Sequence, residues 1–233
     1  MKKKILAMIL ACAMILALAA CSGSANTKQP AAENTASDAA EAPAASEETE
    51  GKTYTVGVCQ LVQHEALDAA TQGFCDALTE ALGDAVTIDV QNASGDSVNC
   101  GTIVNGFVSK NVDLIMANAT PALTAAASAT ADIPILGTSI TAYGVALDIA
   151  DFSGTVGGNI SGTSDLADLS AQAQMILDWF PETQKVGLLF CSAEPNSRYQ
   201  IEEVAKYLSD KGVETEEFAF TDTNDVASVT QSA

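Results

Sequence analysis

Short apolar segments alternate with helix-length segments along most of the chain, and this alternation constrains the fold more than any other feature of the sequence. Apolar runs begin at Tyr54, Val86, Leu114 and Asp132, and helical patterns follow the first three of them. Strands that alternate with helices of roughly ten to fifteen residues form βαβ units, in which consecutive strands are parallel. The sequence therefore predicts an α/β fold, with a parallel sheet and helices on both faces.

A second series begins after a looser stretch, 149–162, that is rich in Gly, Ser, Asn and Asp. Its predicted elements are, in order, a helix at about Asp165–Phe180, a strand at Lys185–Cys191, a helix at about Arg198–Asp210 and a strand at Glu214–Phe220. We therefore expect a first lobe at 53–148, a crossover or hinge at 149–162, and a second lobe at 163–233. Because two strands are too few for a lobe covered on both faces, we expect the second lobe to be truncated.

The N-terminal region is predicted to lie outside the fold. Residues 1–20 have a basic start and an apolar run, as in a signal peptide. The run ends in Leu18-Ala19-Ala20-Cys21, which resembles the lipobox of bacterial lipoproteins and implies a lipid on Cys21. An uncleaved membrane anchor is the alternative, although the run is short for a span. Residues 21–52 have almost no large apolar side chains and are predicted to be a flexible linker.

Composition excludes several functional classes. A net charge of −20 and a pI near 4.1 argue against nucleic acid and anionic membrane surfaces as partners. The single histidine, His64, excludes a multi-histidine zinc site, and no nucleophile elbow or dinucleotide-binding motif is present. We therefore expect no enzyme activity, no cofactor and no metal. His64 either lines a site or is a solvated turn residue. Of the six cysteines, Cys12 lies in the predicted signal peptide and Cys21 is the predicted lipidation site. The other four fit no metal pattern and are expected to be small buried hydrophobic residues. A disulfide among them is the alternative, but the sequence alone does not pair them. They are Cys59, Cys75, Cys100 and Cys191.

One strand-to-helix junction is the first candidate for a binding site. The apolar run Leu114–Ala117 leads through Asn118 and Thr120 into Pro121, which suits the first turn of a helix. The free N–H groups and the dipole of a helix start favour a carboxylate or phosphate. Ligands of open α/β sheets bind at the carboxyl ends of the strands. An ordinary strand-to-helix turn is the alternative.

Small polar residues follow the other predicted strands as well. They are Gln60, Asn92, Thr120, Ser139, Thr141, Glu194, Asn196 and Ser197, with Asp165 at the start of the next predicted helix. Hydroxyls, amides and helix N-termini on one side, with a carboxylate on the other, can hold a zwitterion by both charged ends. The alternative for each residue is a turn or capping role, and Asp165 and Ser197 are the best candidates for plain N-caps.

Several segments resemble, in the same order, the substrate-binding lipoproteins of ABC transporters assigned to tryptophan and tyrosine uptake. They are 58–68, 91–96, 113–115, 119–122, 132–135, 158–165 and 194–197. The resemblance extends from about Tyr54 to the end of the chain. It implies a two-lobed, type I-like periplasmic-binding-protein fold that closes on a ligand. It also implies an ABC permease and its ATPase as partners.

The resemblance also implies a set of ligand-binding residues. They are Gln60, Thr120, Pro121, Ser139, Ile140, Thr141, Asp165, Asn196 and Ser197. This chain departs from the family at Ala142, where the family usually has Asp after Ser-Val-Thr. The ligand's amino group therefore lacks one expected partner, and the neighbouring Tyr143 is a candidate to stack on an aromatic ligand.

Together these observations predict a membrane-tethered solute-binding protein for an amino acid, with an aromatic one favoured. Ligand would shift an open–closed equilibrium about the hinge, and the closed form would dock on the permease. The alternative is a ligand-sensing receptor domain of the same fold that signals to a membrane partner. An extracytoplasmic hydrolase is disfavoured because a nucleophile–base constellation is missing from the sequence.

Overall fold

The structure is a computed structural model that describes residues 51–222 and 224–233. The predicted signal peptide, the lipidation site Cys21 and all of the predicted linker except residues 51 and 52 lie outside the described residues. Within the described part of the chain, no helix is both long and apolar enough to cross a membrane.

Five parallel strands form the first sheet, in the order β2-β1-β3-β4-β5. The strands are β1 (Tyr54–Gln60), β2 (Val86–Asn92), β3 (Leu114–Asn118), β4 (Ile135–Ile140) and β5 (Ile160–Ser164). The three inner strands are apolar because both faces of the sheet are covered. The predicted parallel α/β architecture is therefore confirmed for this part of the chain.

Helices cover the two faces of the first sheet. They are α1 (Glu65–Leu82), α2 (Ser97–Lys110), α3 (Thr120–Ala129) and the short α4 (Tyr143–Ala146). α2 and α3 pack on one face, where Phe107 and Leu123 join Ile115 in a core that excludes solvent. α1 lies over the other face, where Phe74 lies near Met116. The exposed His64 caps α1, since its Nδ1 accepts a hydrogen bond from the N–H of Ala66.

β5 differs from the sequence-based prediction of a loose crossover at 149–162. Ile160–Ser164 pairs with β4 in parallel, so the chain leaves the first sheet after Ser164. β5 is an edge strand, and only Ile160 packs against the core. An edge strand of Ser, Gly and Thr lacks the apolar alternation by which a strand is recognised in a sequence.

A second, two-stranded parallel sheet follows. β6 (Lys185–Cys191) and β7 (Glu214–Phe220) pair along their full length, with the bounds that the sequence predicts. The accompanying helices are α5 (Leu169–Trp179), α6 (Pro195–Asp210) and α7 (Val226–Ser232). α5 and α6 pack together through Ala173 and Leu208, and the Tyr207 hydroxyl donates to Gln174 Oε1 over 2.7 Å.

Candidate functional site

The carboxyl ends of the first sheet's strands meet at one edge. Gln60 lies opposite both Asn92 and Asn118, and Asn118 lies opposite Thr138. Because the strands are parallel, the polar residues that end them form a continuous row. The predicted convergence of polar strand ends is therefore present in the first sheet.

The β3–α3 junction carries backbone strain and unpaired polar atoms. Ala119 has a φ of +88°, a conformation that non-glycine residues rarely adopt. Thr120 follows as the first residue of α3 and is 2% exposed, and its Oγ1 has no hydrogen-bond partner within the described residues. The Oδ1 of the fully buried Asn118 is also unpaired there. Pro121 is buried in the first turn of α3, as its position in the sequence predicts.

The end of β4 is irregular. The pairing with β5 shifts between Gly137 and Ile140, and Ser139 within this bulge has a φ of +55°. A bulge of this kind redirects side chains at the end of a strand. Ile140 is buried in the core, so its side chain does not face the open edge. Thr141 is half-buried, and its carbonyl accepts a hydrogen bond from Ser164 Oγ over 2.9 Å.

The side-chain amide of Gln60 makes its hydrogen bonds within the first sheet and α1. Its Nε2 donates to the carbonyl of Val62 and to Asp68, and its Oε1 accepts from the hydroxyl of Thr71 over 2.6 Å. Gln60 still contributes to an open cavity of about 700 Å³ that it shares with Asn92. The structure therefore gives Gln60 an internal bonding role that the sequence does not reveal.

Asp165 does not cap a helix, in contrast to the capping alternative. α5 begins at Leu169, and its N-cap is Asp168, whose Oδ1 accepts from the N–H of Ala171 over 2.9 Å. Asp165 is exposed just beyond β5, and its N–H donates to the carbonyl of Ile140. The Asp165 carboxylate is therefore at the edge where the first sheet's strands end.

Asn196 and Ser197 lie in the first turn of α6, directly beyond β6. The N-cap of α6 is Glu194, so the interpretation of Ser197 as an N-cap is wrong. Asn196 Nδ2 donates to Glu194 Oε2 over 3.4 Å, whereas the buried Asn196 Oδ1 is unpaired within the described residues. The start of α6 thus combines a carboxylate, an unpaired amide oxygen and a hydroxyl.

A cavity of about 440 Å³ lies between the carboxyl ends of the two sheets. Its lining residues are, from the first sheet's side, Leu61, Val62 and Gly95, and from the second sheet's side Leu189, Phe190, Cys191, Glu194, Ser197, Gln200, Ile201, Phe220, Thr221 and Asp222. Ser197 is the predicted site residue among them. None of these lining residues is Lys, Arg or His, while two are carboxylates. Arg198, which follows the lining residue Ser197 in the sequence, forms ion pairs with Glu217 and Glu202 and is not among the lining residues.

A second cavity, of about 610 Å³, brings Thr141 and Ser164 together with Tyr199 of α6. Tyr199 therefore faces the ends of β4 and β5, although it was not predicted as a site residue. Its only signal in the sequence is an aromatic residue two positions after Ser197. Taken together, the two cavities place the first two turns of α6 opposite the carboxyl edge of the first sheet.

Tyr143 lies in the core, which leaves the stacking interpretation unsupported. It is 7% exposed, and its hydroxyl donates to the carbonyl of Gly137 over 3.0 Å. Burial raises the pKa of Tyr143 to about 12. Gly162 makes room for this phenol, because a Cβ on Gly162 would lie 2.2 Å from the Tyr143 hydroxyl oxygen. Tyr143 thus helps to join β4 to β5.

Comparison with known proteins identifies the family. The sequence profile described as ABC transporter substrate binding protein matches residues 55–233. The chain is 34% identical over 178 residues to the tyrosine-binding protein of Clostridioides difficile (strain R20291). The matched region covers 75% of this chain and 51% of that protein. The chain therefore spans about half the length of this curated relative.

Two solved structures are similar to this one. The first, an ABC domain from Streptococcus pneumoniae in complex with L-Trp, is 34% identical with a TM-score of 0.71, covering 78% of this chain and 62% of that one. The second is a ligand-free, open structure of a substrate-binding protein with adhesive properties from Clostridium difficile. It is 35% identical with a TM-score of 0.53, covering 77% of this chain and 62% of that one.

These matches confirm the resemblance and the predicted type I-like periplasmic-binding-protein fold. They also confirm the expectation of a binding protein rather than an enzyme. Because the profile matches most of the chain's length, this chain belongs to the ABC transporter substrate-binding protein family.

Proposed function

We propose that the protein captures an aromatic amino acid between its two sheets and delivers it to an ABC permease and its ATPase. The observation that supports this most strongly is the 440 Å³ cavity between the carboxyl ends of the two sheets. Its volume falls within the range of roughly 300–1,000 Å³ that is usual for small-molecule sites. The relatives' ligands, tyrosine and L-Trp, have the chemistry that we assign to this one.

The apolar part of the cavity suits an aromatic side chain. Phe220 at the end of β7 and the exposed Leu189 of β6 line it together with Leu61, which follows β1. Aromatic rings bind one another in offset or edge-on arrangements, worth roughly 0.5–1.5 kcal/mol beyond the buried area. We therefore assign the ligand's ring to this part of the cavity.

The polar part of the cavity suits a cationic group. Glu194 and Asp222 line it, and its lining includes no described basic residue. An ammonium group is attracted to a carboxylate, and the partly desolvated setting strengthens that attraction. Glu194 thereby takes over the contact that the family's Asp would make and that Ala142 does not provide.

The ligand's carboxylate is assigned to the polar edge of the first sheet. The start of α3 offers the unpaired Thr120 hydroxyl and the favourable end of a helix dipole. Thr120 Oγ1 is buried in the present arrangement, so this contact requires a local shift of the β3–α3 junction when the ligand binds. The remaining proposed contacts come from residues of the two facing edges, namely Gln60, Pro121, Ser139, Thr141, Asp165, Asn196 and Ser197, while the side chain of Ile140 is buried in the core and makes none.

Hinge closure about the segment that joins the two sheets would complete the site. At nearly equal identity, the structure superposes better on the L-Trp complex, with a TM-score of 0.71, than on the ligand-free open relative, with 0.53. This difference is expected if the present arrangement is closed. We place the division between the lobes after Ser164, where the chain leaves β5 of the first sheet and passes to α5.

The proposed location is the extracytoplasmic face of the cell membrane, with a lipid on Cys21 as the anchor. The lipobox-like segment that ends at Cys21 supports this, as does the extracytoplasmic location that is usual in the family. Two or more acyl chains hold a protein stably at a membrane. The linker at 21–52 would then let the folded part reach the permease.

Thermal denaturation in the presence of single amino acids tests the proposed ligand class. A ligand that binds only the folded protein raises Tm, by roughly 5–11 °C at a hundred times its Kd for a chain of this size. We expect such shifts with L-tyrosine or L-tryptophan and none with L-alanine or L-arginine. The absence of a shift with every aromatic amino acid would overturn the proposal.

Glu194→Gln tests how the amino group is bound. We expect this variant to weaken L-tyrosine binding by roughly 10-fold or more, because a charge-assisted hydrogen bond is worth about 1.5–3 kcal/mol. The deaminated analogue 3-(4-hydroxyphenyl)propionate should bind the variant at least as well as the unmodified protein. Glu202→Gln, on the same helix but outside the cavity, is the control and should leave both affinities unchanged.

A further inference from the structure

Two of the four cysteines that the sequence leaves unpaired are buried in the same core of the first sheet. Cys59 is the penultimate residue of β1, and Cys100 lies in the first turns of α2. Both are fully buried in one apolar cluster. Both are free cysteines in the structure.

The packing of α2 on β1 places the two cysteines on facing surfaces of the helix and the strand. Phe107 of α2 lies over Gly57 of β1, where an added Cβ would be 2.5 Å from the phenyl ring. Cys59 is two residues beyond Gly57 on the same face of the strand. Cys100 precedes Phe107 by two helical turns and lies on the same buried face of α2. The side chain of Asn99 also fixes this end of α2, since its Nδ2 donates to the carbonyl of Ala93.

We propose that Cys59 and Cys100 form a disulfide in the mature protein, which clamps the end of β1 to the start of α2. Members of this family work outside the cytosol, where disulfides form and persist. The bond would enclose α1 and β2 in a closed loop and restrict the unfolded chain. This inference does not depend on the identity of the ligand.

The chemistry is thiol–disulfide exchange with a disulfide-containing oxidant, such as oxidised glutathione or an oxidoreductase. One of the two cysteines attacks one oxidant sulfur as its thiolate, which forms a mixed disulfide and releases the first oxidant thiol. The other cysteine then loses its proton and attacks the protein sulfur of the mixed disulfide, which releases the second thiol. Two protein thiols are oxidised and the oxidant's disulfide is reduced to two thiols. Because both cysteines are inaccessible once packed, the exchange takes place while the chain folds.

Alkylation of the full chain after refolding with oxidised and reduced glutathione tests the pairing. The protein is unfolded in guanidinium chloride with iodoacetamide, with or without prior reduction, and digested for mass spectrometry. Without reduction we expect label on Cys75 and Cys191 but not on Cys59 and Cys100, together with a cross-linked peptide that contains both. Alkylation of Cys59 and Cys100 without reduction would overturn the proposal.

Thermal denaturation supplies a second readout. Reductant should lower the Tm of the oxidised protein by roughly 5–15 °C. It should not change the Tm of Cys100→Ala, while the control Cys75→Ala should keep the full response. An equal response of Cys100→Ala and Cys75→Ala would contradict the pairing. If Cys100→Ala does not fold, the labelling pattern of the unmodified protein decides the question.

Discussion

The side-chain amide of Asn118 donates to the hydroxyl of Thr71 over 2.9 Å, and thereby joins the end of β3 to α1. Thr71 extends this network, because its hydroxyl donates a hydrogen bond to Gln60 Oε1 over 2.6 Å. Asn118 Nδ2 also donates to the carbonyl of Leu67. This buried chain of hydrogen bonds holds two neighbouring strand ends against one helix, directly behind the proposed site.

Thr71→Val should therefore destabilise the protein. The substitution keeps the shape of the side chain but leaves Gln60 and Asn118 with unpaired buried atoms, a loss of about 1–3 kcal/mol. Urea unfolding followed by circular dichroism measures this loss. The control is Thr79→Val on the exposed side of α1, where the hydroxyl bonds only to its own helix. Equal effects of the two substitutions would contradict the role given to this network.

Asp168 and Asp165 provide a matched pair of carboxylates, three residues apart. Asp168→Ala removes the N-cap of α5 and should cost about 0.5–2 kcal/mol of unfolding free energy. Asp165→Ala should leave stability within about 0.5 kcal/mol, because its side chain is exposed. Chemical denaturation of both variants measures the difference. A larger loss of unfolding free energy in Asp165→Ala than in Asp168→Ala would contradict the assignment of Asp168 as the N-cap.

The folded protein should lose stability at alkaline pH, because the phenol of Tyr143 is buried. Burial raises its pKa from the usual 10.0 to about 12, so the folded protein keeps the phenol proton after the unfolded chain has lost it. The contribution of Tyr143 to the free energy of unfolding is therefore fully present below pH 10. It declines between pH 10 and pH 12, by roughly 2–3 kcal/mol in total. Urea midpoints measured at pH 9, 10 and 11 follow this decline.

Tyr143→Phe is the control for the alkaline prediction. The phenylalanine variant loses the hydrogen bond to Gly137 and should be less stable at pH 9. Its stability should then fall less steeply than that of the unmodified protein as the pH rises above 10. Parallel curves for the two proteins would show that Tyr143 titrates with an ordinary pKa.

Gly162→Ala should be strongly destabilising. An added Cβ would lie 2.1 Å from the carbonyl oxygen of Gly137 and 2.2 Å from the Tyr143 hydroxyl, which forces β5 away from β4. We expect a loss of about 1–3 kcal/mol or more, as for other overpacked cores. Gly154→Ala controls for the positive φ, since Gly154 has a φ of +95° but nothing within 4 Å of its added Cβ. A similar loss in both would assign the effect to backbone strain rather than to the clash.

The sequence predicts the regular elements well where burial imposes a pattern. β6 and β7 have their predicted bounds, and Pro121 lies in the first turn of α3 as expected. β5 was missed because an edge strand with a single core residue, Ile160, has no apolar alternation. α4 was missed because a four-residue helix is too short to show a helical period.

The candidate site was predictable only in part, because it depends on contacts between distant segments. The polar ends of neighbouring strands follow from parallel pairing alone. The internal bonding of Gln60 depends on Thr71, which is eleven residues away on another element. The position of Tyr199 opposite Thr141 depends on how the two sheets face each other, and strand and helix patterns carry no information about that arrangement.

Isothermal titration of the protein with L-tryptophan and L-tyrosine tests the central claim most directly. Capture of an aromatic amino acid between the two sheets predicts heat of binding with a stoichiometry of one ligand per chain for at least one of them. It also predicts a negative heat-capacity change from the apolar surface that Leu189 and Phe220 bury against the ligand. The titration is run at two temperatures, so that a binding enthalpy of zero at one of them is not mistaken for no binding. The absence of binding heat with both amino acids at both temperatures would contradict the account.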